Sequence, residues 1–444
     1  MAVGEAFAVQ ETGAETNVSN TTEATETYDA SAQLEQGDWS GEWNGATETL
    51  NCPAANANLP ILVGHSKFVR GSGTARSIAQ DTVRINTTNQ NNRGGGISRY
   101  VRISGGADEM TTQGVGIFEL SSGDDILIRR SVTWNSADRV GDYDRSSGDP
   151  KGFWAAVLPA NDRLYMTLAA TATGAGRYGQ VSPRPIDMGA TPSTLTSGSW
   201  ATATWNNDSG HPVGSTFAHT DSNATWTIAA NKKVLCVLTY VVNHTPADRN
   251  SILVRVRQSS NTSYPGGATS TYVRNATSDN CVGSLIFPIF TGGSTETLDV
   301  AFVDQVEEAT GNDCDLVAGD IQLIDLTDAD WVVASSNDRH VWDSIATFTT
   351  INWDQTLQED TASWSHDPVT NNSRLTNNAG ATITAIVGFS IFADRDSADT
   401  TRRVPHGQIA RNGTRLDYGV AGNYSRGDNS ADGQQIAGFS HAIP

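Results

Sequence analysis

Cysteine, methionine and lysine are scarce in this chain of 444 residues, with four of each. Cys52, Cys236, Cys281 and Cys314 are too few and too scattered for a disulfide framework or a zinc site. No apolar run approaches the roughly 18 residues of a membrane-spanning helix, and the long ones, such as Val234–Leu238 and Leu285–Phe290, have the length of strands. Residues 1–10 carry no basic cluster ahead of an apolar stretch, so no secretory signal is expected. Bases are short throughout: 29 Lys plus Arg stand against 49 Asp plus Glu, a net charge of −20. Charged residues make up only 18% of the chain, so the acidity is a deficit of bases rather than a surplus of acids. Such a chain lacks the basic face that displaces counterions from nucleic acid or adheres to an anionic membrane. Neither is expected as a partner.

What the chain does have is glycine, 42 residues of it, with abundant Thr, Ser, Asn and Asp. Short apolar or alternating runs recur between these turn-forming clusters: Leu59–Val63, Thr82–Ile85, Val115–Leu120, Val234–Val242, Ile252–Val256, Leu285–Phe290 and Leu298–Phe302. No long 3.6-residue stripe appears. The pattern predicts an all-β protein of antiparallel sandwiches joined by polar turns. Residues 1–35 contain no Lys or Arg and read as an extended arm, with ordering against a neighbouring subunit as the alternative.

The rest divides into three diverged copies, at 36–195, 196–343 and 344–444. Each opens with tryptophan: Trp39 and Trp43, then Trp200 and Trp205, then Phe348 and Trp353. An apolar strand and an Arg-bearing loop follow, the arginines being Arg76, Arg249 and Arg402. Next comes Tyr-x-Arg, as Tyr100-Val-Arg102, Tyr272-Val-Arg274 and Tyr424-Ser-Arg426. Two copies share a coda, in which Gly123–Ile128 matches Glu296–Val300, and Trp154 with Asn161-Asp-Arg163 matches Trp331 with Asn337-Asp-Arg339. The third copy reads as incomplete, without its last strands. Repeated Trp and Tyr are expected to pack cores and sheets rather than stack on a ligand. The repeated Arg is expected to meet a turn carboxylate or carbonyl, and Asn-Asp-Arg to make a local Asp–Arg turn at a module junction.

The residues select no catalytic, metal or cofactor site. The eight histidines are dispersed, and no nucleophile elbow, phosphate loop, dinucleotide fingerprint or EF-hand is present. Acidic loops at Gly123-Asp-Asp125 and Asp138–Asp149 could hold calcium, but solvated turns are the expected reading. No motif picks out a glycosidase acid pair.

The order of apolar strand, Arg-bearing turn, Val-x-Val strand, Tyr-x-Arg and Gly-flanked apolar strand resembles jelly-roll (C1q/TNF-like) sandwich modules of tailed-bacteriophage structural proteins. The second copy fits best, through Leu235–Val242, Asp248-Arg249, Leu253-Val-Arg-Val256, Tyr272-Val-Arg274, Leu285–Phe290 and Leu298–Phe302. The resemblance implies a non-enzymatic virion protein assembled in the host cytoplasm. A capsid decoration or cement protein that docks on major capsid or tail proteins is the first expectation, and a tail fibre or receptor-binding protein the next. It also implies homo-oligomerisation, often as a trimer. A different class remains open: a carbohydrate-binding or carbohydrate-cleaving sandwich in which Trp200, Trp205, Trp226, Trp353 and Trp364 stack sugars, with a host glycan as ligand.

Overall fold

A computed structural model describes the chain apart from residues 12–16, 19–23, 72–75, 90–95, 103–108, 134–139, 143–150, 160–161, 170–192, 196–200, 208–213, 245–248, 259–262, 275–279, 307–313, 337–347, 394–405 and 423–433, and single positions 1, 4, 30, 33, 87 and 444. Among the described residues the only helical elements are 3-10 turns at Gly37–Trp39 and Ala54–Asn56, so the chain is all-β, built of antiparallel sheets.

A short strand β1 (Ala2–Val3) precedes the first sandwich. That sandwich contains β2 (Ala6–Glu11), β3 (Ala24–Thr25), β4 (Pro60–Gly71), β5 (Arg76–Ile85), β6 (Ile97–Arg102), β7 (Glu109–Glu119), β8 (Asp125–Thr133) and β9 (Lys151–Val157). One seven-stranded sheet sets β4 between β7 and β9, with β2 beyond β9; the other sets β5 between β6 and β8, with β3 against β8. The second sandwich repeats this plan. Its strands are β10 (Asp162–Leu168), β11 (Ala201–Thr202), β12 (Lys233–His244), β13 (Arg249–Gln258), β14 (Ser263–Arg274), β15 (Asn280–Phe290), β16 (Glu296–Val306) and β17 (Cys314–Asp325). Here β12 lies between β15 and β17 with β10 beyond, and β13 lies between β14 and β16 with β11 against β16.

Registers match as well as strand order. Tyr100 lies opposite Ile78 and Arg102 opposite Arg76; Tyr272 lies opposite Ser251 and Arg274 opposite Arg249. Ile128 faces Val83 as Val300 faces Val256. Tyr-x-Arg therefore marks one fixed place, the strand that pairs with the Arg-initiated strand. The third module shows β18 (Val332–Ser335) with β19 (Gln355–Glu359), β20 (Thr384–Ala393) with β23 (Gln434–Ile443), and β21 (His406–Arg411) with β22 (Thr414–Gly422). The antiparallel partners β20 and β23 correspond to β12 and β15, and the hairpin β21–β22 to β13 and β14. On the free side of β20, where β17 flanks β12, lies β1: Ala2 faces Ala385 and Val3 faces Thr384.

Side chains alternate strictly between two cores, as the two-residue period of a strand requires. Ile61, Val63, Phe153, Ala155, Phe7 and Val9 point into the first sandwich, while Leu62, Trp154, Ala156, Ala6 and Ala8 point the other way. In the second, Val234, Cys236, Leu238, Leu164 and Met166 face inward and Leu235, Val237 and Tyr165 outward. The outward sets meet in one apolar seam between the two sandwiches, joined by Ile386 of the third module. Sheets buried on both faces explain why β4, β9 and β12 read as unbroken apolar runs. The outer strand β13 alternates only past Leu253, with Val254 and Val256 buried and Arg255 and Arg257 partly exposed.

Several sequence expectations change. Residues 6–11 are not part of an extended arm, because β2 pairs with β9 and buries Ala6, Phe7, Ala8 and Val9 almost completely. The second sandwich begins at Asp162 rather than 196, since β10 completes the sheet of β17. Trp43 and Trp205 are not equivalent. The Glu26 and Ala203 amides donate to the matched carbonyls of Ile128 and Val300, so Tyr28, two residues on, occupies the place of Trp205. Trp154 and Trp331 also differ. Trp154 lies opposite Gly64 within β9, a position that Gln322 opposite Val237 holds in the second module, whereas Trp331 follows β17.

Candidate functional site

The cysteines and the acidic turn are engaged in the fold. The thiols of Cys52, Cys236 and Cys281 are buried. Burial, with Asp124 and Glu42 nearby, pushes Cys52 up to about 11, and burial alone pushes Cys236 up, which withholds both from thiolate chemistry. In the Gly123–Asp125 loop, Asp124 accepts from Asn86 Nδ2 at 2.8 Å and from the Ser121 amide at 2.7 Å. Asn86, at φ 55°, accepts from the Asp125 amide at 2.9 Å, so side chains of the turn already occupy this carboxylate. Among the described residues no three His, Cys, Asp or Glu side chains gather as a metal group. Most of Asp138–Asp149 lies outside the described residues.

The tryptophans that the carbohydrate-binding alternative would use for sugar stacking are placed as follows. Trp205, Trp226 and Trp364 are buried, Trp353 is half-buried, and Trp200 lies outside the described residues. Trp43 packs on Phe7, Tyr28 and Phe153 with ring centroids 5.5–6.3 Å apart. Trp331 meets Phe290 edge-on at 5.5 Å and donates its indole N–H to the Leu326 carbonyl. Tyr272 is buried. Tyr100, Arg102 and Arg274 are placed by backbone register alone, and Tyr424, Arg426 and Asn337-Asp-Arg339 fall outside the described residues.

Sequence reading missed two arrangements that the fold assembles. The first is the joint between modules. Gln322 of β17 accepts from the Ile117 amide and donates to the Ile117 carbonyl, both at 2.9 Å, so one side chain satisfies the open edge of β7. Beside it Glu119 accepts from the Tyr165 hydroxyl at 2.8 Å and pairs with Arg163 at 3.1 Å. Arg163 thus bridges the junction to Glu119, not locally to Asp162, which instead accepts from the Arg163 and Thr216 amides. Lys233 joins the third module, with Nζ 2.8 Å from Asp360, whose carboxylate also accepts from the Trp331 amide at 2.6 Å. Replacing Gln322 with Leu strands a buried amide and carbonyl of Ile117. Chemical denaturation should show a loss of about 1–3 kcal/mol, against little change for an exposed control such as Val369→Ala.

The second is an ionic quartet inside the first sandwich. Lys67 on β4 sits 2.9 Å from Glu26 and 2.8 Å from Asp81 on β5, and Arg130 on β8 sits 3.3 Å from Glu26. All four are almost fully buried. The matched positions of the second sandwich are Tyr240, Val254, Phe302 and Ala203, all in its apolar core, with Tyr240 edge-on to Phe302 at 5.8 Å. One fold thus carries two solutions at one place, two acid–base pairs in the first copy and aromatic packing in the second. Burial works against the Lys67 charge, but Asp81 and Glu26 outweigh it and hold its pKa above the ordinary lysine value. A raised folded-state pKa adds stability below the unfolded value of about 10.4, lost as pH rises through the folded value. Alkaline titration followed by circular dichroism should therefore show the first module loosening above about pH 10.5, and a variant with an apolar quartet losing that step.

No protein-family model matches the chain, and no curated protein matches it in sequence. Among solved structures it is similar to that of infectious bursal disease virus, strain Gx, at 8% identity, covering 73% of this chain and 69% of that one with a TM-score of 0.21. It is also similar to the N-terminal CBM22-1–CBM22-2 tandem domain of Paenibacillus barcinonensis Xyn10C, at 12% identity, covering 61% of this chain and 79% of that one with a TM-score of 0.15. At such TM-scores neither likeness bears on what this chain does.

Proposed function

We propose that the chain is a structural component of a bacteriophage particle, a decoration or cement protein that binds neighbouring virion proteins through its loops and sheet edges. The observation that carries this reading is the apolar seam. It fuses sandwiches that have their own cores into one block and takes Trp154 and Trp331 into the packing. The recurrence of Tyr-x-Arg at one register in successive sandwiches supports the resemblance on which the virion reading rests. Such a block acts by shape and surface complementarity, and its net charge of −20 keeps it solvated.

Density-gradient sedimentation of phage particles with the purified full chain tests the proposal. The chain is expected to band with intact particles. A chain that stays at the top of the gradient while particles band without it overturns the reading, and so does sugar-ring binding in a glycan screen at micromolar affinity.

A further inference from the structure

We propose that this single chain closes a ring of three sandwiches about a pseudo-threefold axis, and that it docks on a surface with threefold symmetry made by three like subunits. The docking half rests on the virion reading above; the ring does not. Two independent features carry the ring. One contact between modules recurs in one direction and returns to its start: β6 of the first module touches β15 of the second, β14 of the second touches β23 of the third, and β22 of the third touches β7 of the first, while the like strands β6 and β14, β7 and β15, and β15 and β23 also meet. Since β6, β14 and β22 are corresponding strands, as are β7, β15 and β23, one heterologous contact is made three times. A head-to-tail contact that closes after three steps is a three-membered ring. The chain path gives the second feature. At each passage a strand paired in one module is followed within a few residues by a strand of the next, from Val157 to Asp162, from Asp325 to Val332, and from Val3, paired with β20, to Ala6 of β2. The hydrogen bond from Thr384 to Gln36 at 2.6 Å ties the same joint.

The trimer that the family resemblance implies as three chains is then supplied by three modules of one. A ring that shows three related faces gains from simultaneous engagement only where the partner repeats with the same symmetry. This assigns the partner as three copies of one shell subunit around a local threefold axis.

The ring is tested by native mass spectrometry of the full chain, together with a Gln36→Cys, Thr382→Cys variant in a Cys314→Ser background treated with a short bis-maleimide; Thr382 is exposed and lies two residues before the buried Thr384. Cys52, Cys236 and Cys281 are buried and do not compete. The expected result is one species of 47.1 kDa with the crosslink inside the chain. Crosslinks between chains, or a chain whose two cysteines do not join, overturn the ring. Docking is read separately from the copy number in purified particles. One chain per three contacting shell subunits supports it, and one chain per shell subunit overturns it. A crosslinked monomer absent from particles overturns the virion reading and the docking with it, while the ring stands.

Discussion

Lys67→Met is expected to be among the most damaging single substitutions in the first sandwich, with a loss of about 3–5 kcal/mol. It leaves Glu26 and Asp81 facing each other and Arg130 in a buried site, with a partner removed from a network in which every member is almost fully enclosed. The informative part is the rescue. Glu26→Ala, Asp81→Val and Arg130→Phe, added to Lys67→Met, rebuild the apolar quartet that the second copy carries as Ala203, Val254 and Phe302. Methionine is preferred to tyrosine at 67, because the ring of Tyr240 lies over Gly283, where a Cβ would come within 2.3 Å of it, and the first module has Thr112 at that place. Apolar replacement of a whole buried ion network is often neutral or stabilising, so the quadruple variant should recover most of the loss. Urea unfolding of the two variants side by side is the measurement. A quadruple variant as unstable as Lys67→Met alone would mean that the two modules are not interchangeable at this layer.

The second large effect lies in the seam. Gly64 has no side chain because the Trp154 indole fills its space; a Cβ there would stand 2.1 Å from the ring. Trp154→Ala should cost about 3–5 kcal/mol through the cavity it leaves between sandwiches, and should lower the thermal midpoint of both modules together. Gly64→Val alone should overpack the seam. Combined with Trp154→Gln it reproduces the Val237–Gln322 cross-strand pair of the second module. The double variant should then be less damaged than the sum of the singles, by about 0.5–3 kcal/mol of coupling. Additive losses in differential scanning calorimetry would contradict the equivalence of these positions.

These equivalences also show what was legible in the sequence. Strands buried on both faces announced themselves as Val234–Leu238 and Leu285–Phe290, and Tyr-x-Arg located one strand pair in successive copies, because register is set by backbone pairing. Aromatic residues were poorer guides. They fill volume, and a volume can be filled from another strand, as Tyr28 does where Trp205 stands. The strand Ala6–Glu11 was hidden by its small residues and by a partner, β9, that lies at the far end of the same module. The ionic quartet was hidden by separation, since Glu26, Lys67, Asp81 and Arg130 come from four segments and each alone reads as a surface charge. The fold brings the four together, and the comparison of copies sets Lys67 against Tyr240.

As proposed, this chain forms one block of three sandwiches on the outside of a particle. Electron cryomicroscopy of phage particles carrying the protein, at a resolution that separates strands, tests it most directly. The predicted map shows three sandwiches of one chain around a local threefold axis, joined through the seam of Leu62, Trp154, Leu235, Val237 and Ile386, with loops against the shell. Particles without such density, or density in which three separate chains supply the three sandwiches, would contradict it.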